Sequence, residues 1–400
     1  MPRNNAIDAV KGFAILLVMI GHCIVLNGLN QTDPYIYDAI KSVQMPLFMA
    51  VSGALTGMSY ARKQSVSLHI LKKRAISYLI PFFSWFIVVF LVTHIVDGTI
   101  GVALFFTELI ALLFQTDRGL WFLTTLYEVT VAVTVSQYLA DHICLGNILQ
   151  TDETAKLNKR NNTDKKNYTK KNTQHNMLCK KLGYVLVFML FFYLLFFLQA
   201  RSGFLFLSPS LAVQYMPFYA LFYLWFGYKD VLSDTTSHSL DDTAKQGKNN
   251  RMRLVSWIVW SVCLIVFVYM VVFRDLNKAP EGVVALVMQM LTSLMGCYVC
   301  FFGVYEAYAK YEQKNNNRKK KEGRKPFAFL PWIGQYTLEI YVLHFRFARL
   351  LNVDEKNINF YSLEGIGYLI ATFVLMSICT ALCIFFFKKS RVLNKLLFGK

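Results

Sequence analysis

Asp8, Lys11 and His22 stand in the stretch DAVKGFAILLVMIGH, whose other residues are almost all apolar. A charged side chain in hydrocarbon costs roughly 2.5 kcal/mol or more, so each ionisable group there needs a task or a partner. Eleven residues of α-helix turn about 20° beyond three full turns and rise about 16 Å, which puts Lys11 and His22 on one face. Asp8 falls within about 40° of His22 in the same projection. An imidazole suits general-base or nucleophilic work near neutral pH. Two readings of this stripe are open: chemistry at His22, or a helix-entry charge pair followed by a packed neutral histidine. Other polar groups in apolar surroundings are Trp121, Glu128, Glu339, His344 and Arg346. Trp121 reads as an interface anchor or a stacking surface, and Glu128 needs a partner or a cavity. Glu339 and Arg346, seven apart, share a helix face and could form an ion pair. His344 is a second site residue or a packing group.

Apolar helices must position these residues. The chain has 400 residues, 55% of them hydrophobic and 16% charged, a combination foreign to soluble domains. Runs at 11–29, 43–60, 76–96, 120–140, 182–200, 212–228, 254–273, 283–309, 327–349 and 363–387 approach the length that spans about 30 Å of hydrocarbon. The expected fold is all-α, a polytopic membrane helical bundle of about ten transmembrane helices in one membrane domain, 1–400. The first run lacks a small-x-small cleavage site and reads as a span rather than a removable signal.

Gly101–Gln115 is the ambiguous run. If it does not span, 34 of the 42 Lys and Arg fall on one side. The positive-inside rule then makes both termini cytoplasmic and 101–115 a re-entrant or interfacial helix on the outer side. Polar cytoplasmic loops are expected at 141–181, 229–253 and 310–326. The Asn/Lys-rich part at 151–176 is expected to be disordered.

The formal net charge of +18 is gathered in these inter-span segments, which fits a solvated face against anionic lipid and excludes a nucleic-acid partner. The eight cysteines lie mostly in apolar runs. Cys297-x-x-Cys300 has a redox or metal spacing, yet no His/Cys cluster completes a site. No metal and no bound cofactor are expected.

Five stretches carry a family resemblance. IDAVKGFAILLVMIGH (7–22), with ten residues between Lys11 and His22, resembles the first-helix signature of the acyltransferase-3 family of integral membrane O-acyltransferases. The fucose 4-O-acetylase-like branch is the nearest in pattern. QMPLFMAVSGAL (44–55) resembles the family's second helix, KKRAISYLIPFFSW (72–85) its basic entry into the third, LWFLTTLYE (120–128) its LWFL motif, and IGQYTLEIYVLH (333–344) its late motif ending in His. The matches keep their order across residues 7 to 344. Lys11 stands where Arg is commoner, which keeps the charge and loses the bidentate fork. Arg74 is followed by Ser77 where many members have Arg-x-x-Arg, leaving Lys72 and Lys73 as substitute cations.

The resemblance implies transfer of an acyl group, acetyl above all, from acetyl-CoA or another acyl-CoA to a hydroxyl of a cell-surface carbohydrate or lipid-linked glycan precursor. His22 would be the base or would take the acyl group itself. Asp8 and Lys11 would form the cytoplasmic donor entrance, with Lys72, Lys73 and Arg74 meeting the donor's phosphates. Trp121, Glu128, Glu339 and His344 would serve the acceptor. Such a protein sits in a lipid bilayer as a multi-pass protein, typically the bacterial inner (plasma) membrane. Competing readings are a transporter or flippase, disfavoured by the lack of repeat symmetry, and a non-catalytic partner of a glycan machine.

Overall fold

In a computed structural model the described residues are 4–29, 35–115, 119–156, 166–229, 242–273, 282–322, 328–351 and 358–400. They form α1 (Asn5–Val25), α2 (Tyr35–Lys63), α3 (His69–Val96), α4 (Val102–Phe114), α5 (Trp121–Lys156), α6 (Lys166–Arg201) and α7 (Pro209–Gly227). There follow α8 (Asp242–Phe273), α9 (Gly282–Glu322), α10 (Phe329–Ile333), α11 (Thr337–Leu343), a 3₁₀ turn (His344–Phe347), α12 (Leu363–Lys389) and α13 (Arg391–Phe398). No strand occurs among the described residues.

Six helices among the described residues are long and apolar enough to cross a membrane: Asn5–Val25, His69–Val96, Asn176–Arg201, Leu254–Phe273, Val284–Asn315 and Leu363–Lys389. α6 exposes Val187, Leu190, Leu194 and Leu198, and α12 exposes Ile370, Val374, Ile378 and Leu382. Apolar rows at helical spacing on the outside of a protein belong against lipid. The chain is an integral membrane protein.

The remaining long helices, α2, α5 and α7, each bury several side chains within the protein. On α5 the buried Thr124, Thr125, Thr130 and Ser136 satisfy their hydroxyls on carbonyls of their own helix, at 2.7–3.1 Å. α4, at 13 residues, rises about 20 Å and is too short to span the hydrocarbon.

Two expectations need correction. At every described residue the segments expected as loops at 141–181, 229–253 and 310–326 are helix: α5 runs to 156, α6 starts at 166, α8 at 242, and α9 ends at 322, while 230–241 and 323–326 lie outside the described residues. The same holds within 151–176, of which 157–165 lie outside the described residues. Lys, Glu, Gln and Asn without proline are compatible with helix even when they cannot build a core. The apolar run 327–349 is not one helix but α10, α11 and the 3₁₀ turn, broken at Gly334–Tyr336.

The chain divides into two compact units, with the boundary inside α2. One comprises Met1–Val51 and Leu240–Phe398, the other Ser52–Ser239 with Gly399–Lys400. In the first, α1 packs against α10, α9 and α12. A Cβ on Gly12 would strike the Leu330 carbonyl, and one on Gly334 the Asp8 carbonyl. Only glycine allows backbones this near. In the second, α5 packs on α3, α6 and α7. There Gly53 and Gly57 admit the α7 backbone at Tyr219 and Tyr223 in the same way.

Candidate active site

The first unit holds both candidate histidines, His22 and His344. Asn4 caps α1, its side chain accepting from the Ala6 and Ile7 amides at 3.1 and 3.2 Å. One turn on, Asp8 and Lys11 form an ion pair of 2.8 Å, with Asp8 buried. Their charges are balanced where α1 begins, and the contact with Gly334 fixes that end against the chain entering α11.

Toward the other end of α1, half-buried His22 meets His344, with ring centroids 5.2 Å apart and planes inclined by 39°. Phe345 sets its ring edge-on to His22, also at 5.2 Å. The break at Gly334–Tyr336 makes this encounter possible by turning the chain back along α1. Two tethers hold the turn: Asn27 Nδ2 donates to the Ala348 carbonyl at 2.9 Å, and Arg349 Nε to the Leu26 carbonyl at 3.2 Å. Asn27 Nδ2 also donates to the Cys23 carbonyl at 2.8 Å, binding the tether to α1 itself.

His344 is 1% exposed, and its Nδ1 lies 2.8 Å from the Ile340 carbonyl one turn back. His344 Nε2 and His22 Nδ1 are both buried without a hydrogen-bond partner. Buried polar atoms are rarely left so, and two on adjoining imidazoles call for an explanation. Gln44 comes up on the neighbouring position of α1, where a Cβ on Gly21 would lie 2.7 Å from its Oε1.

Glu339, fully buried on α11, is bound by Lys388 of α12 at 2.9 Å. Lys388 Nζ also lies 4.2 Å from the centre of the Tyr336 ring. The ion pair at Glu339 is therefore made with α12 and not along its own segment with Arg346, which the end of α11 at Leu343 carries off that face.

The second unit holds the other sequence candidates. Lys72 and Lys73 are exposed, and Arg74 is half-buried. Arg74 donates to the Tyr78 hydroxyl at 2.9 Å and lies 5.8 Å from the centre of that ring. Trp121 stacks on Tyr215, centroids 5.7 Å apart and planes within 23°. Two turns along α5, Glu128 Oε2 is buried with no hydrogen-bond partner. The structure thus joins His22 with His344 and Asp8 with Lys11, while Arg74, Lys72, Lys73, Trp121 and Glu128 belong to the other unit.

Sequence reasoning missed a polar network in that unit. Tyr223 and Tyr228 hydroxyls both donate to Gln137 Oε1 at 2.8 Å. Gln137 Nε2, Lys181 Nζ and the Tyr60 hydroxyl converge on Asp141 Oδ1 at 3.1, 3.1 and 3.3 Å. The i, i+4 spacing of Gln137 and Asp141 was the available signal. Among the described residues no group of three or more His, Cys, Asp or Glu is placed to hold a metal ion.

A family model described as an acyltransferase domain matches residues 4–388, nearly the whole chain. The nodulation protein NolL of Sinorhizobium fredii is 38% identical over 88 residues, which cover 21% of this chain and 23% of NolL. The chain thus matches less than a quarter of that relative's length. No solved structure matches. The chain belongs to this acyltransferase family and is an enzyme.

Proposed function

We propose that this acyltransferase moves an acyl group, acetyl above all, from acyl-CoA to a hydroxyl of a cell-surface carbohydrate or a lipid-linked glycan precursor. The observation that carries the reading is the pair of adjoining imidazoles, His22 and His344, in a chain whose family transfers acyl groups. The five ordered motifs support the fucose 4-O-acetylase-like branch. Transfer to a hydroxyl needs a base for its proton and stabilisation of the oxyanion formed at the acyl carbon.

In this reading His22 acts on the acceptor hydroxyl. The Asp8–Lys11 pair lies at the donor entrance, and Arg74 with Lys72 and Lys73 meets the polyanionic donor through charge-assisted hydrogen bonds. Arg74 is held in place for that task by Tyr78. Trp121, stacked on Tyr215, with Glu128 serves the acceptor, aromatic faces and carboxylates being suited to sugar rings and hydroxyls. The topology is about ten spans with both termini in the cytoplasm, in a bacterial inner membrane, so that the donor enters from the side where acyl-CoA is made.

The test compares surface glycans by mass spectrometry in cells carrying the wild type, no gene, or His22→Ala at equal membrane abundance. Loss of one acyl group in both altered strains supports the reading and reveals the acceptor. Retention of that group in His22→Ala, when the deletion loses it, removes His22 from the chemistry.

A further inference from the structure

The geometry points to His344 as the positioning residue that fixes the proton of His22, an inference that rests on the acyltransferase reading of His22. A carbonyl oxygen can only accept, so the 2.8 Å contact between His344 Nδ1 and the Ile340 carbonyl requires the proton on Nδ1. A neutral imidazole has one N–H, which leaves His344 Nε2 as a bare lone pair. That nitrogen is buried, has no partner, and belongs to a ring in contact with His22.

The second orphaned nitrogen of the pair is His22 Nδ1. The bare His344 Nε2 on the adjoining ring is satisfied by it only if His22 Nδ1 carries the proton. His22 Nε2 is then the bare nitrogen, and His22 is the half-buried member of the pair, the one a substrate can touch. One backbone carbonyl therefore sets two tautomers in series and leaves the reactive lone pair at His22 Nε2. Catalytic hydrogen bonds are often long before substrate binds, and the two orphaned nitrogens sit on rings whose centres are 5.2 Å apart.

In the transfer step the acceptor O–H bond breaks, and its proton goes to His22 Nε2. The oxygen's electron pair forms the new C–O bond at the acyl carbon, the C–S bond breaks, and the thiolate leaves with the proton from His22 Nε2. His22 is briefly an imidazolium, held through its Nδ1–H by His344 Nε2. The products are ester and thiol.

The test uses membrane vesicles containing the full-length protein, with labelled acetyl-CoA as donor and the vesicles' own acceptors. His344→Asn can keep the hydrogen bond to Ile340 but has no atom at the Nε2 position. Its kcat should fall roughly 100-fold or more, with KM for acetyl-CoA within about twofold. His344→Gln, whose amide oxygen can reach the Nε2 position, should recover kcat to within about tenfold of wild type. If His344→Asn stays within about threefold of wild type while His22→Ala is inactive, the positioning role is wrong and the acyltransferase reading of His22 stands. If His22→Ala is as active as wild type, that reading fails. Should either His344 variant not fold, the wild-type protein decides. ¹⁵N spectra of histidine-labelled protein, assigned by difference with His22→Gln, should show the His22 proton on Nδ1, and a proton on Nε2 overturns the inference.

Discussion

At the scale of single residues, His22 was legible because a lone imidazole in an apolar helix is conspicuous, and His344 because it is a second imidazole inside an apolar run, 327–349. Their contact was not legible. It depends on a chain reversal and on two backbone tethers that no spacing rule describes. Asn27 makes the tether testable: Asn27→Ala removes the bond to Ala348 and should lower kcat about tenfold, with little change in KM, because only the placement of His344 is loosened. Arg74 gives the opposite signature. Arg74→Lys keeps the charge but loses the guanidinium fork, so KM for acyl-CoA should rise roughly fivefold to tenfold with kcat nearly constant. Steady-state kinetics on the two variants separate the base from the donor site. A fall in kcat for Arg74→Lys would move Arg74 into the chemistry.

At the scale of elements, the break between α10 and α11 is the feature hardest to foresee. Residues 327–349 are apolar enough to read as one span, and transmembrane helices tolerate Gly and Pro. What interrupts them is tertiary: Gly334 sits against the Asp8 carbonyl, and Glu339 is claimed by Lys388 from α12. The same close approach yields a prediction. Gly334→Ala places a Cβ into backbone that cannot swing aside, at a cost of about 1–3 kcal/mol or more. Its thermal transition should drop clearly below that of Gly183→Ala, where nothing lies within 4 Å of the added carbon. Glu339→Gln should also destabilise, by up to about 3–5 kcal/mol, because Lys388 loses its counter-charge beside the membrane core. Equal melting of all three variants with wild type would contradict the close packing of α1 on α10.

At the scale of the whole molecule, composition conveyed the membrane class and charge distribution gives an expected sidedness, whereas helix length beyond the membrane did not follow from either. Basic, polar segments read as loops because they cannot bury a core, yet helix needs no core when a membrane span anchors one end. The sidedness has a direct check in a native thiol. Cys179 is the exposed cysteine among eight, and it lies just before Lys180, Lys181 and the apolar part of α6. If the positive-inside rule orients this chain, a membrane-impermeant maleimide should leave Cys179 unmodified in intact spheroplasts and label it in inverted vesicles. Cys179→Ser provides the blank. Labelling from outside would put the starts of both α6 and α3 on that face, taking Arg74, Lys72 and Lys73 away from the cytoplasmic pool of acyl-CoA. The donor would then have to be something other than a cytoplasmic thioester, so one labelling experiment bears on the substrate as well as on the topology.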